Sequence, residues 1–246
     1  MDKTVKALVL REVKYKEADR ILTVLTDEGK LTVKAPGALR KNSKCGAATQ
    51  QMTFSELTLY SRMGHWQVRE GTVLEGFEGL RKDLEKLSLA VYLAHVLETV
   101  SDEDAASPEL LQLGLNSFYA LSNNMAEPWL VKAVFELRLA CLTGYAPELH
   151  CCVQCGEIGD RLFFDKENGG VVCSQHREYG VREISPACLA AMRHVAGAPA
   201  KKIFSFALTG EAVDEFSTLC EAYLLAQLER GFSSLDYYKS IRIVSL

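Results

Sequence analysis

CVQCG at residues 152–156 and CSQH at residues 173–176 place three cysteines and one histidine in two close pairs. This is the spacing of a structural zinc site, in which a C-x-x-C turn directs two thiolates at one ion. Gly156 permits the tight turn after Cys155, and a β-hairpin formed by residues 161–164 and 169–172 would return the second pair beside the first. The sequence therefore predicts Zn²⁺ held by Cys152, Cys155, Cys173 and His176.

Four protein ligands complete a tetrahedron and leave no position for water, which indicates a structural ion and not a reaction centre. The ligand set stays open at one point, because Cys151 could replace Cys152, and His150 is a weaker competitor. A catalytic zinc site and a chance clustering are the disfavoured alternatives. The H-x-E and P-C-x-x-C signature of zinc deaminases is absent, as are the phosphate-loop, dinucleotide and nucleophile-elbow motifs. We predict that the chain is not an enzyme.

The composition is that of an ordinary globular protein, with 246 residues, 48% hydrophobic and 24% charged. The sequence has no apolar run long enough to span a membrane, and the opening MDKTV lacks the apolar segment of a secretory signal. We therefore expect a reducing cytoplasm. The cysteines outside the metal site are scattered and are expected to act as small core residues: Cys45, Cys141, Cys188 and Cys220.

Charge is distributed unevenly along the chain, whose net charge is −4. Residues 1–80 contain 13 Lys or Arg against 10 Asp or Glu, so the remainder is acidic. Residues 29–54 contain five cations and no acidic residue. A local basic strip on an acidic protein is compatible with a nucleic-acid partner, although such strips are usually solvated surface.

The region before residue 79 is rich in short apolar runs bounded by turn residues, which predicts five strands. A meander of five strands in under eighty residues is typical of an OB-fold barrel, and the segment between the third and fourth runs is expected to be a mobile surface loop or a loose helical turn. The runs are Val5–Val13, Ile21–Thr26, Leu31–Ala35, Met52–Tyr60 and Trp66–Leu74.

Beyond Gly79 the apolar residues recur at helical spacing. Prolines preceded by Ser107, Glu127 and Ser185 begin three further helices, and Thr209 is expected to cap a helix from Gly210 to Leu228. We predict an α+β protein, with an OB-fold nucleic-acid-binding domain at residues 1–79. A helical domain at residues 80–246 would contain the zinc module at about residues 148–182.

The basic strip supplies the candidate DNA contacts, since Lys and Arg bind phosphates whatever the base sequence. The principal candidates are Lys34, Arg40, Lys41 and Lys44, with Arg20 and Lys30 as second choices. Arg20 has a simpler alternative role, a local salt bridge with Glu17 or Asp19. Three aromatic residues could stack bases but are favoured as strand packing residues: Tyr15, Tyr60 and Trp66.

Several separate motifs follow one another in the order seen in one known family. They are LVL at 8–10, YKEADRIL at 15–22, APGALRK at 35–41, SK at 43–44, FELRL at 135–139, GYAPEL at 144–149 and CVQCG at 152–156. With the order of barrel, helices and zinc ribbon, they resemble the RecO family of bacterial recombination mediators. The chain departs from the family pattern at Pro36, where Lys is usual, and at His176, where Cys is common.

The resemblance implies an OB-fold that binds single- and double-stranded DNA, and no catalysis. It implies annealing of complementary strands and cooperation with RecR and the single-strand-binding protein SSB in loading RecA. The acidic C-terminal tail of SSB would bind an apolar groove near Gly210–Leu228, beside Lys132, Arg138 or Arg230. The alternative function is a zinc-stapled protein–protein adaptor without direct DNA contact.

Overall fold

The computed structural model of the protein describes residues 2–103, 105–159 and 161–244. The chain divides into two compact units. The first comprises Met1–Met125 with Phe232–Leu246, and the second comprises Ala126–Gly231. The second unit is therefore an insertion between two parts of the first.

A closed antiparallel barrel with one parallel strand pair forms the beginning of the first unit, in the order β1-β2-β3-β5-β4. This is the strand order of an OB-type barrel and confirms the predicted fold class. All five predicted strands are present, each within about two or three residues of its expected bounds. The strands are β1 (Asp2–Tyr15), β2 (Asp19–Thr26), β3 (Gly29–Ala35), β4 (Phe54–Arg62) and β5 (His65–Glu75).

Alternation of apolar residues explains the barrel interior, because successive strand side chains point to opposite faces. Val5, Ala7 and Val9 of β1 point inward and are buried with Leu22, Val24 and Val33. The segment between β3 and β4 adds Ala38, Cys45 and Ala48 to the same core. The sequence predicted a mobile surface loop or a loose helical turn here. The segment is a series of hydrogen-bonded turns, and its apolar residues pack against the barrel core.

The described residues also form six α-helices and a two-stranded hairpin. The helices are α1 (Leu84–Val100), α2 (Pro108–Ser122), α3 (Pro128–Leu142), α4 (Pro186–Gly197), α5 (Glu211–Gln227) and α6 (Ser233–Val244). The hairpin strands are β6 (Leu162–Asp165) and β7 (Gly170–Cys173), one residue later than predicted. Within these described ranges, each helix is too short or too polar to cross a bilayer.

Helices α1, α2 and α6 belong to the same compact unit as the barrel. Gly114 of α2 lies close to β1 and α1, since a β-carbon there would be 3.1 Å from Leu8 Cδ2 and 2.8 Å from Leu97 Cδ1. Helix α6 packs on α1, where the His95 ring makes a hydrogen bond of 2.9 Å to Ser234 Oγ and an edge contact with Phe232. Helix α6 was not predicted from the sequence.

In the second unit, α3 is the central helix, buried on nearly all sides as its all-round apolar pattern predicts. Its two buried polar residues, Lys132 and Glu136, form a salt bridge of 3.0 Å, and Lys132 also pairs with Glu221 of α5 at 2.7 Å. The predicted cap of α5 at Thr209 is wrong. The N-cap is Gly210 with φ 62°, a left-handed conformation that glycine adopts without strain, and no side chain caps the helix.

Candidate metal centre and nucleic-acid interface

The four predicted metal ligands come together in the second unit. The donor atoms of Cys152, Cys155, Cys173 and His176 all lie within 4.8 Å of one another. Cys155 Sγ is 4.0 Å from Cys173 Sγ, and His176 Nδ1 is 3.2 Å from Cys173 Sγ and 3.8 Å from Cys152 Sγ. A tetrahedral zinc ion with bonds of about 2.0–2.3 Å separates its ligands by similar distances. The arrangement therefore fits a tetrahedral metal ion.

Two tight turns and a strand pair position these ligands. The N–H of Gly156 donates to the Cys152 carbonyl at 2.7 Å, and the N–H of His176 donates to the Cys173 carbonyl at 3.1 Å. Cys173 is the last residue of β7, and the N–H of Val153 donates to the carbonyl of Val171 in that strand at 2.9 Å. The backbone thus holds both ligand pairs at one end of the hairpin.

Electrostatics favour a thiolate at two of the ligands. Burial raises the pKa of Cys152, but N–H groups, first that of Cys173, outweigh burial and lower it to about 6. The side-chain hydrogen bond from His176 lowers the pKa of Cys173, and the same contact raises the pKa of His176. Cys152 belongs to this group of donors, whereas Cys151 and His150 do not.

The basic loop, residues 36–50, carries the three most accessible candidate DNA contacts. Arg40, Lys41 and Lys44 are exposed, and none makes a salt bridge with any residue that the structure describes. Backbone bonds hold the loop in place, since Leu39 N–H donates to the Ala18 carbonyl at 2.9 Å. The loop is therefore an ordered projection with cationic side chains free to bind anions.

Lys34 lies beside the basic loop and is held by Asp19, whose carboxylate is 2.9 Å from Lys34 Nζ. Asp19 also accepts the backbone N–H of Gly37 at 2.8 Å. The Gly37 N–H and then Lys34 lower the pKa of Asp19, outweighing a small burial effect. Sequence spacing alone did not indicate that Asp19 has this role.

The side chains of the two second-choice cations, Arg20 and Lys30, donate hydrogen bonds to other parts of the protein. The Arg20 side chain is only 12% exposed, and its guanidinium donates to the Gly46 carbonyl at 2.8 Å and to Thr49 Oγ1 at 3.0 Å. Its carboxylate partner is Glu12 at 3.6 Å, where the sequence suggested Glu17 or Asp19. Lys30 Nζ donates to the Glu98 carbonyl at 2.8 Å. Both side chains serve primarily to connect parts of the first unit.

The candidate aromatic residues differ in accessibility. Trp66 is partly buried against the barrel core, and the Tyr60 hydroxyl donates to Gln67 Oε1 at 2.9 Å. Tyr15 is 39% exposed. Lys16, an exposed residue that was not among the predicted DNA contacts, has its Nζ 5.5 Å from the centre of the Tyr15 ring.

The groove beside α5 is acidic. It has a volume of about 1410 Å³ and is lined by seven carboxylate and two cationic side chains. Of the cations considered for this region, Lys132 is buried in its ion pairs and Arg138 donates to the carbonyl of Ala196 at 2.6 Å. Arg230 is exposed. The acidic lining disfavours this groove as the binding site of an acidic peptide tail.

Comparisons with known proteins cover nearly the whole chain. Residues 1–77 match the family model described as the N terminal of recombination protein O, and residues 81–236 match its C terminal. The DNA repair protein RecO of Acetivibrio thermocellus is 32% identical over 95% of each chain. That of Heliobacterium modesticaldum is 37% identical over 77% of this chain and 72% of its own length.

The fold and these matches place the chain among the DNA recombination and repair proteins. The chain belongs to the recombination protein O (RecO) family. The resemblance noted in the sequence motifs is thereby confirmed.

Proposed function

We propose that this protein is a recombination mediator that binds single- and double-stranded DNA and anneals complementary strands. It would work with RecR and help to load RecA on DNA coated by SSB, in the cytoplasm at the nucleoid, without catalysing a covalent step. The observation that carries the proposal is the set of exposed cations without salt bridges to described residues on the basic loop, Arg40, Lys41 and Lys44.

The proposed mechanism is electrostatic. Two DNA strands repel each other through their phosphates, and cationic side chains that neutralise phosphates allow the strands to approach and pair. Lys34 extends the cationic surface from the strand that precedes the basic loop. Arg20 and Lys30 would act by supporting the barrel, since their side chains are already bonded to protein groups. Residues 1–79 would be the nucleic-acid-binding domain and residues 80–246 the helical domain.

A salt titration tests this proposal. We expect affinity for a single-stranded oligonucleotide to fall steeply with salt, and Arg40→Ala with Lys44→Ala to reduce the slope of log K against log salt by about 1.4. The matched control is Lys201→Ala with Lys202→Ala, which removes the same charge from an exposed turn of the second unit. An unchanged slope in the basic-loop variant would place the DNA contact elsewhere on the protein, and failure to bind the oligonucleotide at low salt would favour the adaptor function.

The metal centre has a proposed structural role. Cys152, Cys155, Cys173 and His176 would hold Zn²⁺, which cross-links the two ends of the ribbon. Because all four positions are filled by protein atoms, the site offers no place for a reacting water. The ribbon at residues 148–182 would therefore be a folded module whose stability depends on the ion.

The tail of SSB is proposed to bind the helical part of the chain, although the acidic groove beside α5 is a poor site for it. Lys132 is unsuited to contact the tail, because it is 3% exposed and paired with Glu136 and Glu221. Arg138 and Arg230 remain as the proposed cations. A titration of a fluorescent acidic peptide against the Arg230→Ala and Arg138→Ala variants would identify which of them contributes.

A further inference from the structure

Tyr15 is the accessible member of the three aromatic residues considered on the barrel. It ends β1 and pairs in register with Asp19 across the first hairpin. Val13, two residues earlier on the same face of the strand, is also exposed. An exposed apolar and aromatic surface at a strand end is not required by the barrel core, which is complete without it.

Two ammonium groups lie within 5.5 Å of the centre of the Tyr15 ring. Lys34 Nζ lies 5.1 Å from the ring centre and Lys16 Nζ lies 5.5 Å from it. Lys34 is fixed by its salt bridge to Asp19, whereas no salt bridge joins Lys16 to another described residue. The ring is thus close to one anchored and one accessible cation.

The basic loop lies next to this ring. Asp19 holds Gly37 by a hydrogen bond of 2.8 Å, and the Ala18 carbonyl accepts Leu39 N–H at 2.9 Å. These bonds tie the start of the basic loop to the turn that joins Tyr15 to Asp19. A bound strand that contacts Arg40 would therefore pass close to Tyr15.

We propose that the Tyr15 ring stacks on an unpaired base of single-stranded nucleic acid, while Lys16 and Lys34 bind the flanking phosphates. The proposal deepens the proposed function and rests on it. An aromatic ring beside cations is the usual platform for single strands on OB barrels, because every base offers a π-face. Tyr60 and Trp66 are less suited, since both are partly buried and Trp66 packs against the core.

This role gives the barrel a preference for single strands over duplex. Bases in a duplex are already stacked on their neighbours and cannot cover a tyrosine ring without being unpaired. Phosphate contacts, in contrast, are available in both forms of DNA. Tyr15 therefore contributes to the affinity for single strands only, whereas Lys16 and Lys34 contribute to the affinities for single-stranded and duplex DNA.

The test is an anisotropy titration of the full chain with a labelled oligothymidylate and with a labelled duplex, at several salt concentrations. We expect Tyr15→Ala to weaken binding of the single strand about tenfold and to leave duplex binding unchanged. Tyr15→Phe keeps the ring and should bind within about twofold of the native protein. Tyr119→Ala is the matched control, because Tyr119 is a similarly exposed tyrosine on α2.

The salt dependence separates stacking from an effect through the lysines. A lost ring carries no charge, so Tyr15→Ala should keep the native slope, whereas Lys34→Ala should reduce it. Equal losses on both DNA forms with a reduced slope would show that Tyr15 only positions the lysines and would overturn the proposal. Native affinity of Tyr15→Ala for the single strand would overturn it as well, while failure of the native protein to bind either DNA would overturn the proposed function too.

Discussion

Asp19 accepts the backbone N–H of Gly37 at 2.8 Å and thereby ties the first hairpin of the barrel to the start of the basic loop. The same carboxylate is 2.9 Å from Lys34 Nζ. One side chain thus orders the surface on which the proposed DNA contacts lie. Its protonation state should therefore affect both stability and binding.

Replacing Asp19 by Asn is expected to lower the free energy of unfolding at pH 7 by roughly 1 kcal/mol, because the charge-assisted contact with Lys34 is lost. The Gly37 N–H and Lys34 hold the pKa of Asp19 below its ordinary value of 3.8. The stabilisation is thus complete above about pH 4 and disappears as the pH falls through the folded-state pKa.

Urea unfolding of the native and Asp19→Asn proteins between pH 7 and pH 2 measures this effect. The free energies of unfolding of the two proteins should become equal near pH 2. Asp27→Asn is the control, since Asp27 is an exposed residue of the β2–β3 turn. If the difference in free energy of unfolding between the native and Asp19→Asn proteins stayed constant from pH 7 to pH 2, the stabilisation would not come from the Asp19 charge.

Replacing Cys155 or Cys173 by Ser is expected to lower stability by about 3 kcal/mol or more, since binding free energy at a structural metal site is folding free energy. Cys151→Ser should have little effect, because Cys151 lies outside the ligand group. Thermal melting with and without a chelator, together with metal analysis, measures this. Melting curves that coincide for all variants would contradict the structural role of the ion.

Lys132→Met is expected to cost about 3–5 kcal/mol, because it leaves carboxylates without their cation in the core of the second unit. Glu136 is fully buried, and Lys132 is 3% exposed. Burial lowers the pKa of Lys132, but Glu136 and Glu221 outweigh burial and raise it, so the side chain is charged in the fold. The double variant Lys132→Met with Glu136→Gln should lose less than the single one, as urea unfolding would show.

Gly114→Ala is expected to destabilise the first unit by about 1–2 kcal/mol. The added methyl group would lie 2.8 Å from Leu97 Cδ1, and this overpacking outweighs the better helix propensity of alanine. Gly197→Ala is the matched control, because the space around Gly197, in the last turn of α4, is open. Its variant should be as stable as the native protein or more so, and equal destabilisation of both would argue against the close approach at Gly114.

Local sequence pattern was sufficient to predict the barrel and the clustering of the three cysteines and one histidine. Apolar residues at every second position, such as Val5, Ala7 and Val9, indicate a strand from the local sequence alone. The C-x-x-C spacing is equally local, because one turn places both cysteines. The hydrogen-bond partners of Arg20 and Lys30 could not be predicted from local sequence. Their partners, Thr49 and the Glu98 carbonyl, are 29 and 68 residues away in the sequence, and only the folded chain brings them together.

Helix α6 was missed for a related reason. Half of its residues are apolar, but its segment is less hydrophobic on average than those of the other five helices, so composition alone does not mark it as a buried helix. Its stability comes from packing on α1 through contacts such as His95 to Ser234, which are 139 residues apart. The boundary between the compact units could not be read from composition either, because the chain returns to the first unit only after Gly231.

The interrupted path of the chain has a consequence for biosynthesis. The ribosome makes Ala126–Gly231 before it makes α6, so α1 lacks this packing partner while the inserted unit is being synthesised. Until Phe232 has been made, the apolar surface of Tyr92 that it contacts stays accessible to chaperones. In a nascent chain stalled before residue 232, the ribbon at residues 148–182 should therefore be folded, whereas α1 should still lack the packing of α6.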